Sequence, residues 1–434
     1  MTFETVVEAI HATLRDDMER PHLDRFGPEA RLNEDLYLDS ILMLHLFLNL
    51  ELRHGLAAPE EAIVRQDLAT VGDLARLFLR LQDGAEAPAE PPPPAVAATE
   101  GLGVHGEDYV DLKIHCFVSC VCAALKARGI DHRAFYFGVW DADFAVEGHA
   151  LRYHADGISH ASFHRWFERL YGVTVTEWYD HAAPKEANVA RLLELVANRR
   201  DSVSVMVMLD LFHLPERENK FNQNPFPHYL MLETAADPDR FVVRDPDFRW
   251  EGEIARDAVL NAVRQPTVAG GYVFDGDEAR PARDADVAAW FEATFRRRDN
   301  PLVAAVRAIL TAHLDGRDGR TLAGLPEALK ELPVLAIRKY AYEHGFAFFW
   351  RALNLPDADF QGWADEIEAL ALGLKAYPLQ ALRLAETGDR TLAPAAFAEL
   401  DRLERLEAAI KRRLGEVFDD WRAARGLNDR RAVA

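Results

Sequence analysis

The sequence predicts a multidomain protein in which an all-α unit is followed by an α+β unit and then by a helical unit. The first observation is the segment 83–103, which is crowded with Pro, Ala and Glu, so it forms no core and stays semi-extended. The second is a set of short apolar runs, VSVMVMLDLF, HYLMLE and RFVVRD, that alternate with helical patterns within residues 104–280. The third is the helical spacing of apolar residues, with charges between them, within residues 281–434. The predicted units are therefore 1–82, 104–280 and 281–434, with 83–103 as a linker.

Composition narrows the classes of partner. Acidic residues outnumber basic ones by 71 to 50, so the surface repels phosphate backbones and nucleic acid is not expected to bind. No apolar run approaches the roughly 20 residues that a membrane-spanning helix needs, and no membrane partner is predicted. The first residues have an amphipathic helical period and lack the pattern of a secretory signal, which predicts a cytoplasmic protein.

The first candidate site is Ser40. Residues 36–51 predict a turn followed by a helix, with Asp39 and Ser40 at the helix start. A serine there is exposed at the positive end of the helix, where a phosphate is favoured. The alternative is that Ser40 serves only as a helix cap.

The order of motifs around Ser40 resembles that of acyl and peptidyl carrier proteins. LNEDLYL precedes the Asp39-Ser40 pair, and the helix TVGDLARLFLRL follows at 70–81. The resemblance covers about 80 residues and implies an all-α four-helix bundle with 4'-phosphopantetheine attached to Ser40. It also implies two partners, a phosphopantetheinyl transferase and an adenylating or acyl-loading enzyme. The alternative reading is a degenerate carrier that is never loaded.

The second candidate site is built on Cys116. The segment 109–131 predicts a polar turn and then a helix that begins at Cys116, and the free N–H groups of a helix start stabilise a thiolate, the nucleophilic form. Cys120 and Cys122 follow inside the helix and are predicted to be core residues. The spacing of the three cysteines suits neither a disulfide framework nor a zinc site with paired Cys-x-x-Cys halves.

A nucleophilic cysteine needs a base and a group that orients the base. If HYLMLE and RFVVRD form a hairpin in which residue 233 faces residue 240, His228 lies opposite Asp245 on one face of the sheet. A shift of two residues in register would bring Asp247 to that place instead. We therefore predict Cys116, His228 and Asp245 as the catalytic residues, with Asp247 as the alternative to Asp245.

This chain order is that of papain-like folds, and the middle unit resembles the family of the butirosin-pathway acyltransferase. The resemblance rests on His115-Cys116, the segment FGVWDADF at 137–144 and the turn RDPDF after the second hairpin strand. It implies an α+β papain-like cysteine domain followed by a helical domain. It also implies acyl transfer from a carrier thioester to an amine, with Cys116 as nucleophile, His228 as base and Asp245 as orienting group. Lys113 and the backbone N–H of Cys116 are the two candidate oxyanion donors.

Further polar residues have weaker assignments. Asp210 and His213 end a buried strand before the loop to His228, where they either contact substrate or cap the strand; Asp247 is the third possible substrate contact. His160 and His164 have a metal-compatible spacing, but no third ligand is evident and no metal is predicted.

The sequence thus predicts a carrier-fused acyltransferase of secondary metabolism. An acyl or aminoacyl group on Ser40 would pass through Cys116 to an amine or alcohol of a small molecule. Two alternatives remain at this point. One is a thioesterase or cyclising hydrolase acting on the carrier, and the other is a non-catalytic scaffold that bears a carrier.

Overall fold

The computed structural model describes residues 1–20, 23–32, 35–36, 38, 40–58, 68–82, 114–155, 157–214 and 225–427. Within these residues the chain forms a small helical unit, a unit built on an antiparallel sheet and a C-terminal helical unit. The predicted linker 83–103 lies outside the described residues.

Three α-helices are described in the N-terminal unit: α1 (Phe3–Ala12), α2 (Ser40–His54) and α3 (Val71–Gln82). They pack around one apolar core. Thr70 and Asp73 explain the TVGDL motif, because the Thr70 hydroxyl accepts the Asp73 N–H at 3.1 Å while the Asp73 carboxylate accepts the Thr70 N–H at 3.0 Å. This reciprocal pair is a capping box that fixes the start of α3. The four-helix architecture stays a prediction, since residues 59–67 lie outside the described part.

The middle unit contains a six-stranded antiparallel sheet. Its strands lie in the order β3-β8-β4-β5-β6-β7, and β1 and β2 form a separate hairpin. The strand bounds are β1 (Ala145–Glu147), β2 (Ala150–Arg152), β3 (Thr176–Glu177), β4 (Val203–Asp210), β5 (Pro227–Thr234), β6 (Arg240–Asp245), β7 (Trp250–Ala255) and β8 (Gly271–Asp275). The three strands predicted from apolar runs, now β4, β5 and β6, are all present.

The helices of this unit are α4 (Cys116–Lys126), α5 (Ala161–Tyr171), α6 (Lys185–Ala197) and α7 (Arg256–Arg264). α4 packs on β5, where the Cys120 thiol donates to the backbone carbonyl of Tyr229 at 3.6 Å. Cys120 and Cys122 are fully buried, which confirms that they are core residues. A helix that starts at Cys116 is confirmed as well.

The predicted register of the β5–β6 hairpin is wrong by two residues. Glu233 faces Val242 rather than residue 240, because β5 continues through the β-branched Thr234, which pairs with Phe241. The six-residue connection is therefore shifted by one position along the chain. Extended back to the strand start, this register would place residue 247, not 245, opposite His228.

The C-terminal unit is helical throughout its described residues. Its helices are α8 (Asp284–Thr294), α9 (Pro301–Asp315), α10 (Leu325–Ala328), α11 (Leu332–Ala336), α12 (Ala341–Leu353), α13 (Asp357–Ala376), α14 (Pro378–Thr387) and α15 (Ala393–Ala424). In the described part of the chain, no helix combines the length and the apolarity that crossing a membrane requires.

A buried cluster of four charges joins the helical unit to the sheet unit. Lys339 contacts Glu407 at 2.6 Å and Asp141 at 3.1 Å, and Lys411 contacts Asp141 at 2.6 Å. The Tyr342 hydroxyl adds a hydrogen bond of 2.9 Å to Glu407. Each charge has an opposite partner, which is the condition under which buried ions are tolerated.

Candidate active site

His228 and Asp245 are in direct contact despite the shifted register. His228 is the second residue of β5 and Asp245 the last of β6, and their Nε2 and Oδ1 atoms are 3.0 Å apart. The contact is diagonal across the two strands, a spacing that long side chains span. Both side chains are completely buried, and the Phe248 N–H donates to the same carboxylate oxygen at 3.3 Å. The carboxylate therefore fixes the orientation of the imidazole ring.

Cys116 lies near the imidazole and influences its pKa. It is the first residue of α4, follows His115 in extended conformation and is half-buried. Within the described residues, Nδ1 of His228 is buried and has no hydrogen-bond partner. Burial by itself lowers the pKa of His228, but Asp245 and then Cys116 raise it, to about 10. This raised pKa favours the charged imidazolium form of the ring.

Asp247 holds the start of the helix that carries Cys116. One of its carboxylate oxygens accepts the backbone N–H groups of Ile114 and His115, both at 3.1 Å, and the Ser119 hydroxyl at 2.7 Å. The side chain is buried, and its charge lies at the positive end of α4. Asp245 therefore orients the His228 ring, whereas Asp247 orients the first turn of the helix that begins at Cys116.

A cleft that is open to solvent lies beside Cys116. Apolar and aromatic side chains form most of its wall, as in small-molecule sites generally. Both the sheet unit and the helical unit contribute to it. Its lining residues include Cys116, Tyr153, His160, Tyr229, Val334 and Arg338.

Arg338 brings a positive charge to this cleft from the helical unit. Its guanidinium donates to the backbone carbonyls of Ala142 at 3.4 Å and Asp143 at 3.1 Å. Burial lowers the pKa of Arg338 to about 10, although the neighbouring Cys116 and Tyr153 act in the opposite direction, so the group stays charged at neutral pH. Sequence reasoning missed Arg338, since it lies more than 200 residues from Cys116 in a segment without a local motif.

Tyr153 and His160 are two further polar residues of the wall. The Tyr153 N–H donates to Glu331 at 2.6 Å and its hydroxyl to the Pro227 carbonyl at 3.5 Å, so this residue links the β2 end to the start of β5. Burial, together with nearby positive groups, lowers the pKa of His160 to about 3. His160 is therefore neutral, and it stacks on Phe117 with ring centroids 4.8 Å apart.

The other polar residues singled out in the sequence lie apart from the cleft wall. Asp210 accepts the N–H groups of Phe212 at 3.2 Å and Phe226 at 2.9 Å, and the Thr267 hydroxyl at 2.9 Å, so it caps the end of β4. His213 lies half-buried just after that strand. Asp210, His213 and Asp247 are not among the lining residues, and their contact with substrate stays a prediction.

The carrier-type site is described in part. Ser40 is the first residue of α2, as predicted. Asp39 and the candidate oxyanion donor Lys113 lie outside the described residues. A helix start fits a phosphodiester group, because its free N–H groups and its dipole favour negative charge. No group of three or more His, Cys, Asp or Glu side chains in the described ranges could hold a metal ion.

Two family models and two proteins of known name are similar to this chain. Residues 111–279 match the model of the DUF6005 N-terminal domain, and residues 285–434 match the DUF6005 C-terminal domain. A petrobactin synthase of Bacillus anthracis is 41% identical over 313 residues, which are 72% of this chain and 96% of that protein. The chain belongs to the DUF6005 family. The acyl carrier protein AsbD of the same organism is 32% identical over 82 residues, which are 19% of this chain and 90% of that protein.

These matches support a carrier-associated biosynthetic enzyme. Carrier homology implies a phosphopantetheine prosthetic group on a carrier domain. The resemblance to the butirosin-pathway acyltransferase and to papain-like folds is a separate matter and stays a prediction.

Proposed function

We propose that this DUF6005 protein is a carrier-fused acyltransferase that works in siderophore-type biosynthesis. Cys116 is the nucleophile, His228 the proton carrier, Asp245 the group that orients it, and Ser40 the attachment point of phosphopantetheine. The observation that carries the proposal is the buried imidazole that contacts Asp245 through Nε2 and faces Cys116 at a cleft. The relative named petrobactin synthase supports the pathway class.

Phosphopantetheine, once attached, presents the acyl group as a thioester. In the first half-reaction the Cys116 thiolate attacks the thioester carbonyl, the bond from that carbonyl to the donor sulfur breaks, and His228 gives its proton to the departing sulfur. An acyl-Cys116 thioester and a neutral His228 result. Asp245 keeps the ring in place throughout, so proton transfer needs no reorientation.

In the second half-reaction the amine or alcohol of the acceptor attacks the acyl carbon. The bond to the Cys116 sulfur breaks and the acceptor's proton passes to His228, which restores the thiolate–imidazolium pair. Arg338 lies at the wall of the cleft, where its charge stabilises negative charge that develops on Cys116 or on the carbonyl oxygen. The backbone N–H of Cys116 is the other oxyanion donor that we propose.

The test uses the full chain loaded by a phosphopantetheinyl transferase with acetyl-CoA and, separately, benzoyl-CoA. Intact mass should show one acyl-phosphopantetheine on the wild type and none on Ser40→Ala. After proteolysis, an acyl group should also appear on the Cys116 peptide. Adding a primary diamine should release the acyl group as an amide.

Cys120→Ala is the matched control, because it removes the same thiol one turn further along α4 in the buried core. Cys116→Ala should load normally at Ser40 and form neither the acyl-Cys116 peptide nor the amide. Amide formation at the wild-type rate by Cys116→Ala would contradict the proposal. Release of free acid rather than amide, with every amine offered, would support the hydrolase instead.

A further inference from the structure

The carrier part touches the helical unit through a small apolar contact of its own. Leu44 and Leu48 of α2 meet Leu379 and Leu382 of α14, and these four leucines form a cluster distinct from the larger cores. Each is at most 5% exposed. Apolar side chains from two different units thus bury one another.

Spacing along both helices makes these faces continuous. Leu44, Leu48 and Glu51 recur at intervals of four and three residues, which puts them on one side of α2. Leu382 and Arg383 follow Leu379 by three and four residues, which puts the three side chains on one side of α14. At the edge of the leucine cluster, the Arg383 guanidinium donates to the Glu51 carboxylate at 3.0 Å. An apolar centre with a charged pair at its rim is the usual anatomy of a protein interface.

Leu379 and Leu382 are not members of the main apolar core to which the helical unit belongs. Leu379 and Leu382 are covered by α2, so in the absence of the carrier part they would lie on the surface as an apolar patch with an arginine beside it. The contact is small, which suits a partner that must also leave to be loaded. The partner helix is the one that begins at Ser40.

The docked helix also lies close to the route toward Cys116. α14 packs on α10, and the chain runs from α10 through α11 into the cleft wall, where Val334 and Arg338 line it. The helix that contacts the carrier part therefore packs on the segment that leads into the cleft wall.

We propose that Leu379, Leu382 and Arg383 form the docking site for the carrier part, and that this site makes the chain's own Ser40 the preferred acyl donor. The second half of this inference rests on the proposed function. The first half concerns binding alone and can be measured without catalysis.

The binding test uses hydrogen–deuterium exchange on full chains that carry Arg383→Glu, Glu51→Arg or both. Each single variant places like charges at the rim, so exchange in peptides spanning 378–387 and 40–54 should rise, and the double variant should restore protection because the pair is reversed. Arg191→Glu, which makes the same charge change on the solvent face of α6, should leave these peptides unchanged. Unaltered exchange in both singles, or no recovery in the double, would overturn the docking site.

The transfer test measures single-turnover amide formation in the same loaded chains. We expect each single variant to be slower by about tenfold and the double variant to recover most of the rate, since tenfold corresponds to about 1.4 kcal/mol of lost coupling. Normal rates in both singles, with wild-type chains active, would show that docking does not serve transfer.

Use of the chain's own carrier is tested by mixing. A Ser40→Ala chain and a loaded Cys116→Ala chain each lack one half of the reaction and should form amide far more slowly than the wild type, at a rate that rises with concentration. A mixture as fast as the wild type at low micromolar concentration would refute own-chain preference. Full activity of Cys116→Ala alone would instead refute the proposed function and leave the exchange result standing.

Discussion

Two neighbours of His228, Asp245 and Cys116, raise the pKa of its imidazole. Asp245 holds one nitrogen at 3.0 Å, both of these side chains are buried, and the half-buried Cys116 lies near the ring. Because the Asp245 carboxylate has no access to water, water screens its charge only weakly. That charge raises the pKa of His228, to about 10. In the proposed mechanism His228 therefore supplies both the positive charge beside Cys116 and the proton that the leaving sulfur needs.

The first prediction follows from that shared role. His228→Ala should lower the acyl-transfer rate nearly as much as Cys116→Ala, because both half-reactions lose their proton carrier. Asp245→Asn should leave measurable activity, since Asp245 acts only through the ring. The double variant His228→Ala, Cys116→Ala should be no slower than the worse single, as for members of one catalytic unit. Losses that multiply in the double variant would contradict this arrangement.

The second prediction concerns pH. In the wild type, the raised pKa of His228 keeps the ring charged up to about pH 10, so iodoacetamide should modify Cys116 readily at pH 7. Asp245→Asn removes the largest influence that raises this pKa and leaves burial, which lowers it. The positive charge beside the thiol is then lost at lower pH. Once the pKa of His228 has fallen below 7, alkylation at pH 7 should slow by about tenfold for each further unit.

The measurement is the rate of Cys116 alkylation from pH 6 to pH 10, read by peptide mass. The Asp245→Asn rate should approach the wild-type rate only in alkaline solution. The raised pKa also affects stability, because His228 binds its proton more tightly in the folded protein than in the unfolded chain. The stability gained from this proton is complete below about pH 6.5 and is lost as the pH rises toward about 10. Identical alkylation profiles for the two proteins would contradict the assignment of Asp245.

At the scale of elements, α4 depends on a loop that follows β6. Asp247 accepts two backbone N–H groups and one hydroxyl at the helix start, all of them buried. Asp247→Ala should therefore lower the free energy of unfolding by about 2 to 4 kcal/mol, because three donors lose their acceptor. Urea unfolding measures the change. Asp237→Ala, in the exposed β5–β6 connection, is the control and should change stability by less than about 1 kcal/mol. An equal, small effect of both substitutions would show that Asp247 does not hold α4.

Local patterns in the sequence predicted the helix that starts at Cys116 and the strands that carry His228 and Asp245. They could not predict the register, because Thr234 is equally acceptable as the last strand residue or the first loop residue, and that one-position difference shifts the pairing by two. The contact between His228 and Asp245 survives the error only because a diagonal pair replaces the direct one. Which carboxylate orients the base and which caps α4 depends on tertiary packing.

At the scale of the whole molecule, the residues that sequence reasoning missed come from a different unit than Cys116. Arg338 reaches the cleft and Arg383 reaches the carrier part through the packing of helices separated by hundreds of residues in the chain. No spacing rule connects such positions. The sequence could thus predict a helical C-terminal unit but not its share in the cleft.

The buried charges between the units give a prediction at this scale. Lys411→Met leaves Asp141 with one cation in place of two inside the protein, so the free energy of unfolding should fall by about 3 to 5 kcal/mol. Lys330→Met, which breaks a surface pair with Glu327, should cost at most about 1 kcal/mol. Chemical denaturation of the two variants provides the comparison, and equal losses would show that the cluster does not join the units.

Arg338 and Lys339 are neighbours in the chain, yet one lines the Cys116 cleft and the other lies in the buried charge cluster. A change in how the two DUF6005 domains fit together would therefore move the cleft's positive charge as well. We therefore expect the two domains to be inherited as a pair. Exchanging one of them between relatives should give active chimeras only when both partners retain the charges of the buried cluster, which are Asp141, Lys339, Glu407 and Lys411. The contact described between the carrier part and the helical unit is, by contrast, a small leucine cluster with one ion pair at its edge, so we expect the carrier part to be the portion that can be fused to or separated from the enzyme without rebuilding the Cys116 cleft.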